Sequence, residues 1–299
     1  MINEKFVSDI KATGAECNTS SLMKDHTTFR IGGAADYFIT AADIKQLKSI
    51  ISLCKSYGVP YMILGNGSNL LVSDEGLRMA VIRLVGEFKE ISRKDNTIIC
   101  GAGATLARLC TFAMQQNLSG VECAFGIPGT VGGAVYMNAG AYGFEMKDAI
   151  LSVTHLTDEG EIETVLADAL ELSYRHSIYK NNNCIILFAQ LSLKEGKQEE
   201  IKALMDDVMN RRVSKQPLEF PSAGSVCKRP DGAFAGALIE QCNLKGVTVG
   251  GARVSEKHSG FIINIGGATC ADVCNLIELI QNTVKEKTGF TLEREIIRL

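Results

Sequence analysis

The sequence predicts an α+β protein with more than one domain. Its 299 residues, 46% of them hydrophobic, allow two or three separate cores. Segments with helical spacing alternate with short β-type runs. Beyond Lys215 the texture changes, with Pro217, Pro221 and Pro230 inside one short irregular span, which predicts a domain boundary.

The elements follow in chain order. Ile44, Leu47, Ile50, Ile51 and Cys54 recur at helical spacing and Gly58 is placed to stop that helix. A strand is expected at 61–64, then the turn Gly65-Asn66-Gly67-Ser68-Asn69, a short apolar run at 70–72 and a strand at 79–84. Together these read as β-turn-β. A strand near 97–100 leads into a helix carrying Leu106, Leu109, Cys110 and Ala113 on one side. Thr130 is expected to cap a short helix over 131–138. A hairpin around Asp158-Glu159-Gly160, a buried strand at 184–193 and a helix through Ile201, Leu204, Met205, Val208 and Met209 complete this half. The C-terminal unit reads as helix 234–242, strands 247–249 and 261–264, a long helix opened by Thr269 and Asp272 as a capping box, and a closing strand near 292–297.

Composition excludes several functions. The net charge is −3 and the basic residues are scattered, so the electrostatic footprint of a nucleic-acid binder is missing. The N-terminus has no apolar core behind a basic start and no apolar run is long enough to span a bilayer, so a cytoplasmic location is expected. Ten cysteines lie in apolar contexts without a Cys-x-x-Cys pair, apart from the four histidines, which predicts buried free thiols and no metal site.

Residues 126–143, GIPGTVGGAVYMNAGAYG, hold six glycines and no charge. A flexible linker would be rich in Ser, Lys or Glu. Here the glycines are interleaved with Ile127, Val131, Ala134 and Val135, so the stretch reads as packed backbone kept bare for close approach. Gly65-x-Gly67 is followed by Leu70 where a dinucleotide fingerprint needs glycine, and by a strand-like run where it needs a helix; no P-loop occurs either. What remains is a donor nest at 65–69 and the amides of the short helix after Thr130, two places able to receive phosphate.

Six strings in order carry a resemblance: Thr28-Phe29-Arg30-Ile31-Gly32-Gly33; Leu64-Gly65-Asn66-Gly67-Ser68-Asn69; Gly126-Ile127-Pro128-Gly129-Thr130-Val131-Gly132-Gly133 running on to Met137-Asn138-Ala139-Gly140-Ala141; Tyr174-Arg175; Ala223-Gly224-Ser225; and Leu292-Glu293-Arg294-Glu295. Over nearly its whole length the chain resembles the UDP-N-acetylenolpyruvoylglucosamine reductase family. The resemblance implies an FAD-binding fold of the vanillyl-alcohol oxidase type over about 30–195, built of two α+β subdomains (1–85 and 86–205), and a UDP-sugar-binding domain at 206–299. The short spacing from Arg175 to Ser225 resembles the branch without a tyrosine-bearing insertion.

The family reaction implies noncovalent FAD, NADPH as reductant and UDP-N-acetylglucosamine enolpyruvate as substrate. By the same resemblance Gly65, Asn66, Gly67, Ser68, Asn69, Gly126, Ile127, Pro128, Gly129, Thr130, Gly132, Gly133, Ala134, Asn138, Ala139, Gly140 and Arg212 would hold the cofactor. Arg175 would stabilise the charge developing beside the substrate carboxylate. Ser225 would donate the proton, and Glu295 would assist. Lys215, Arg229 and His258 are weaker substrate-binding candidates, each equally readable as a solvated or structural side chain. Read without the resemblance, Arg175 is a surface arginine, Ser225 a turn serine, and Glu295 shares strand period with Glu293. Cys227 stands where the family often has an aromatic residue. Two alternatives stay open: another flavin oxidase of this fold, or a nucleotide-binding module without catalysis.

Overall fold

The computed structural model describes residues 2–299. The chain divides into two compact units: one runs through Thr19 and takes in Tyr37–Asn66 and Met79–Arg211, and the other takes in Ser20–Asp36, Gly67–Arg78 and Arg212–Leu299.

In the first unit a five-stranded antiparallel sheet runs in the order Ile162–Leu166, Ile150–Leu156, Ile185–Ser192, Thr97–Gly101, Ile91–Lys94. The expected hairpin at 158–160 is its first turn, and the apolar run at 184–193 is its central strand, one face buried at Leu187, Ala189 and Leu191 and the other half-buried at Phe188 and Gln190. The helix Leu106–Gln115 is capped by Thr105 and buries Leu106, Leu109, Cys110 and Ala113, the side the sequence marks. Ile44–Tyr57 is helical, its start capped by the Asp43 side chain and its end closed by Gly58 in the left-handed region at φ 64°. Strand Tyr61–Leu64 pairs in parallel with Leu77–Leu84, Tyr61 opposite Ala80.

The second unit holds an antiparallel sheet of Thr248–Val249, Ala252–Val254 and Ile262–Asn264, with the helices Ala235–Gln241 and Cys270–Thr288. The expected capping box is present: Thr269 accepts the Asp272 amide at 3.0 Å and Asp272 accepts the Thr269 amide at 3.0 Å. Asp74 adds a second acidic cap, accepting the amides of Cys270 at 2.7 Å and Ala271 at 3.1 Å.

Three expectations need correction. The run at 70–72 does not return as a hairpin onto 61–64: Leu70–Leu71 pairs in parallel with Ile297–Arg298, near the far end of the chain. The closing strand is only Ile297–Arg298; the expected 292–296 lies outside it, tied by the bridge between Cys227 and Arg294. And 20–36 and 67–78 belong with the C-terminal unit, because Phe29, Ile31 and Leu71 lie in the same apolar cluster as Val226, Leu238, Ile262 and Leu276.

All ten cysteines are free. Burial pushes the thiols of Cys54 and Cys100 up to about 12. Among the described residues no group of three or more acidic, His or Cys side chains is placed to hold a metal, and no helix is long and apolar enough to cross a membrane.

Candidate active site

In the first unit the two bare runs press on each other. A Cβ at Gly65 would stand 2.5 Å from Thr130 Oγ1, and Asn66 Nδ2 donates to the Pro128 carbonyl at 3.1 Å. Thr130 caps the helix Val131–Tyr136 as expected, its hydroxyl accepting the Gly133 amide at 3.3 Å.

The helix start does not, however, present open amides. Val131 N–H donates to Ala104 at 2.8 Å and Gly132 N–H to Ala102 at 2.9 Å. Gly132 is bare because a Cβ there would lie 2.9 Å from that of Ala102. The expected phosphate site at this helix is therefore spent on packing, since the helix lies flat against 102–104.

The turn at 65–69 keeps its donors. Among the described residues the amides of Asn66, Gly67 and Ser68 donate to no protein acceptor. Asn66, Pro128 and Gly133 are exposed, and a Cβ on Gly133 would meet only Thr130 Oγ1, at 3.5 Å. Within the first unit, the unspent amide of Asn66 and the exposed small-residue surface at Pro128 and Gly133 fit a phosphate-bearing cofactor. Ile127, Gly129, Ala139 and Gly140 are half-buried in the same unit, and Ala134 is buried. Gly126 has φ 84°, a conformation reserved for glycine. Asn138 is fully buried with its side-chain amide committed to protein partners.

Arg175 belongs to this unit too. It is the second residue of a two-residue turn closed by Ser173 and His176, whose backbones bond reciprocally at 3.2 and 3.0 Å. Its backbone is left-handed at φ 55°, unusual for arginine, and the guanidinium carbon lies 4.9 Å from the Tyr174 ring centroid.

Ser225 and Glu295 are brought together within the second unit. Ser225 bridges to Phe261, Val226 N–H donates to Gly260 at 2.9 Å, and Glu295 N–H donates to Val226 at 2.9 Å. The central strand-like segment 225–228 is thus flanked by 260–261 on one side and 293–295 on the other. The Ser225 side chain is half-buried and its hydroxyl makes no hydrogen bond within the described residues, leaving the proton available. The two glutamates differ in surroundings: Glu293 turns outward to Lys228 at 3.0 Å, whereas Glu295 is half-buried. Burial, then the nearby Glu295 carboxylate, push the Cys227 thiol up to about 12, so it stays protonated at neutral pH and is no nucleophile.

The remaining candidates are also in the second unit. Arg229 is exposed with its guanidinium carbon 4.4 Å from the Phe234 ring centroid. Lys215 is exposed at the end of the Gln198–Lys215 helix. Arg212 is 5% exposed and reaches Gln216 Oε1 at 3.4 Å. His258 Nδ1 accepts the Gly260 amide at 3.1 Å and its ring packs edge-on against Phe261; burial holds it below the usual histidine range. It supports the turn that flanks Ser225.

Comparison with known proteins finds two matches along the chain. Residues 35–166 match the model of an FAD binding domain, and residues 216–299 match the C-terminal domain of UDP-N-acetylenolpyruvoylglucosamine reductase. A reductase of that name from Alkaliphilus oremlandii is 50% identical over 92% of this chain and 90% of its own. The chain belongs to the UDP-N-acetylenolpyruvoylglucosamine reductase family. A second relative, from Clostridium novyi, is 45% identical over 99% of this chain and 95% of its own. The crystal structure of the Thermus caldophilus member is 39% identical, covers 95% of this chain and 98% of its own, and superposes with a TM-score of 0.81. The chain is thus an oxidoreductase with an FAD-binding domain, and the family expected from the six strings is the right one.

Sequence reasoning named Asn138 without its protein partners and missed Glu145 altogether. Asn138 stands in the string Met137-Asn138-Ala139-Gly140-Ala141, but nothing in it tells that its amide is turned into the protein. Glu145, which accepts from Asn138 at 3.0 Å and meets Lys147 at 2.8 Å, carries no sequence signal at all.

Proposed function

We propose that the protein reduces UDP-N-acetylglucosamine enolpyruvate to UDP-N-acetylmuramate with NADPH as electron source, a step of peptidoglycan precursor synthesis carried out in the cytoplasm. Gly65, Asn66 and the run 126–133 of the first unit, with Gly67, Ser68 and Asn69 of the second, would hold FAD, which when bound would supply the hydride taken up from NADPH. The enolpyruvyl double bond accepts this hydride at its terminal carbon, leaving an electron pair on the carbon beside the carboxylate. Arg175 stabilises the charge that spreads into that carboxylate. Ser225 gives its proton to the carbanionic carbon, and the serine oxygen recovers a proton from water. Glu295, beside Ser225 in the second unit, acts with it at the same end of the substrate. Lys215 and Arg229 serve the diphosphates, Arg212 the cofactor, and His258 holds the 258–261 turn.

The observation that carries this reading is the pairing of Ser225 with Glu295 across Val226, with the serine hydroxyl uncommitted and the second glutamate turned away. The test separates the two half-reactions. In Ser225→Ala, NADPH should bleach the bound flavin at the wild-type rate, while reoxidation by the enolpyruvyl sugar falls by about 10²- to 10⁴-fold, the usual worth of a positioned acid. Turnover at the wild-type rate would falsify the role. A protein that stays colourless after reconstitution with FAD would remove the flavin chemistry altogether, and rapid reoxidation by air alone would favour an oxidase of the same fold.

A further inference from the structure

The Arg175 turn is held at both ends by one segment, the end of the glycine-rich helix. Ser177, fully buried, donates its hydroxyl to the Tyr136 carbonyl at 2.8 Å. Asn138 Nδ2 donates to the Ser173 carbonyl at 2.9 Å. Ser173 and Ser177 bracket Tyr174-Arg175, and Tyr136 and Asn138 lie two residues apart, so four side-chain or backbone groups clamp the turn in one orientation.

Asn138 is built for this and little else. It is 0% exposed and its backbone is left-handed at φ 40°, a conformation asparagine tolerates better than most residues. Its amide is saturated: Oδ1 accepts the Lys147 amide at 3.0 Å, and Nδ2 is shared between Ser173 and Glu145 Oε2, the latter at 3.0 Å. Replacing a buried amide of this kind leaves polar groups unpaired.

Glu145 supplies the other half. Its side chain is 26% exposed, its Oε2 meets Lys147 Nζ at 2.8 Å, and its own amide donates to Asp148 at 2.7 Å. Lys147 first, then the Asn138 amide, and more weakly the positive charge of Arg175, hold its carboxyl below the usual range, so it is ionised at neutral pH. One side chain, Asn138, thus holds both the Glu145 carboxylate and the turn that carries Arg175.

We infer that Asn138 and Glu145 are positioning residues for Arg175: Asn138 fixes the turn through Ser173 and holds the Glu145 carboxylate, whose charge biases the guanidinium carried by that turn. This rests on the reading of Arg175 given above. It also accounts for the asparagine in the glycine-rich stretch through its protein partners, a role distinct from the one expected of it.

The test is a cycle of variants, each assayed for both half-reactions and for flavin content. Asn138→Asp keeps the shape and the Oδ1 acceptor but turns the shared donor into an acceptor. Glu145→Gln removes the charge at a partly exposed position and keeps an acceptor for Asn138, so it covers the case in which the first variant fails to fold. In each, flavin binding and bleaching by NADPH should stay within about twofold of wild type. Reoxidation by the enolpyruvyl sugar should slow by about ten- to a hundredfold, in kcat more than in KM, the scale of a reacting group misplaced by a fraction of an ångström. Combined with Arg175→Ala, neither change should slow reoxidation further, because the effect passes through the guanidinium.

Additive losses in the double variants, or equal slowing of both half-reactions, would overturn the positioning role. Loss of reoxidation in Arg175→Ala together with wild-type reoxidation in both Asn138→Asp and Glu145→Gln removes the proposal alone. Wild-type reoxidation in Arg175→Ala removes the reading of Arg175 and the proposal with it.

Discussion

His155 sits in strand Ile150–Leu156 with 3% of its surface exposed, its Nδ1 3.0 Å from the Tyr179 hydroxyl and its ring edge-on to that of Tyr179. Burial holds its pKa below the usual 6.5, against the opposing pull of Glu163 at 3.7 Å. His258 is lowered for the same first reason. Both rings are thus neutral in the folded protein. A group whose pKa falls on folding contributes stability in full above its unfolded value, about 6.5 for histidine, and that contribution is lost as pH falls through the folded value. The melting temperature should therefore drop between pH 7.5 and pH 5, and the drop should be smaller in His155→Asn, which cannot take up a proton. A pH slope in the variant equal to that of wild type would mean that His155 is not a source of the loss. None of this was legible beforehand: a single histidine in an apolar strand carries no mark of its partner Tyr179, which lies 24 positions away.

At the scale of elements, legibility follows locality. The Ile44–Tyr57 and Cys270–Thr288 helices carry their own caps, Asp43 with Gly58 and Thr269 with Asp272, and local signals sufficed for both. The strand run at 70–72 was visible, but its partner, Ile297–Arg298, lies more than two hundred residues on, and no local pattern encodes such a pairing. The same holds for the site. The turn at 65–69 was read as a donor nest from its own composition, whereas the loss of the donors at the helix after Thr130 depends on Ala102 and Ala104 in another element. Asp74 is a third case. Its two bonds to the first amides of the Cys270–Thr288 helix supply what a local cap normally would, and place a negative charge at the positive end of the helix dipole. Asp74→Ala should cost about 1–2 kcal/mol, seen as a melting temperature lower by about 2–4 °C for each kcal/mol. Bleaching of the flavin by NADPH at low temperature should remain normal. An unshifted melt would show that Asp272 caps the helix adequately alone.

At the scale of the whole molecule, the division of the chain contradicts a simple order of domains. The boundary at 206 that the resemblance implies would make 206–299 a domain of its own. Yet the second unit also takes Ser20–Asp36 and Gly67–Arg78, which contribute Phe29, Ile31 and Leu71 to its core, each no more than 2% exposed. They supply the strand partner of Ile297–Arg298 and the Asp74 cap as well. Burying three large apolar side chains is worth about 1.5–3 kcal/mol each at most, a sum comparable to the entire stability of an ordinary domain, about 5–15 kcal/mol. A fragment of 206–299 should therefore be unable to fold. Expressed alone, it should give a collapsed amide spectrum and no cooperative melt, and linking residues 20–36 and 67–78 to it should restore dispersion. A well-dispersed spectrum from the bare fragment would mean that its own helices and sheet close a sufficient core, and that the two N-terminal segments only decorate it.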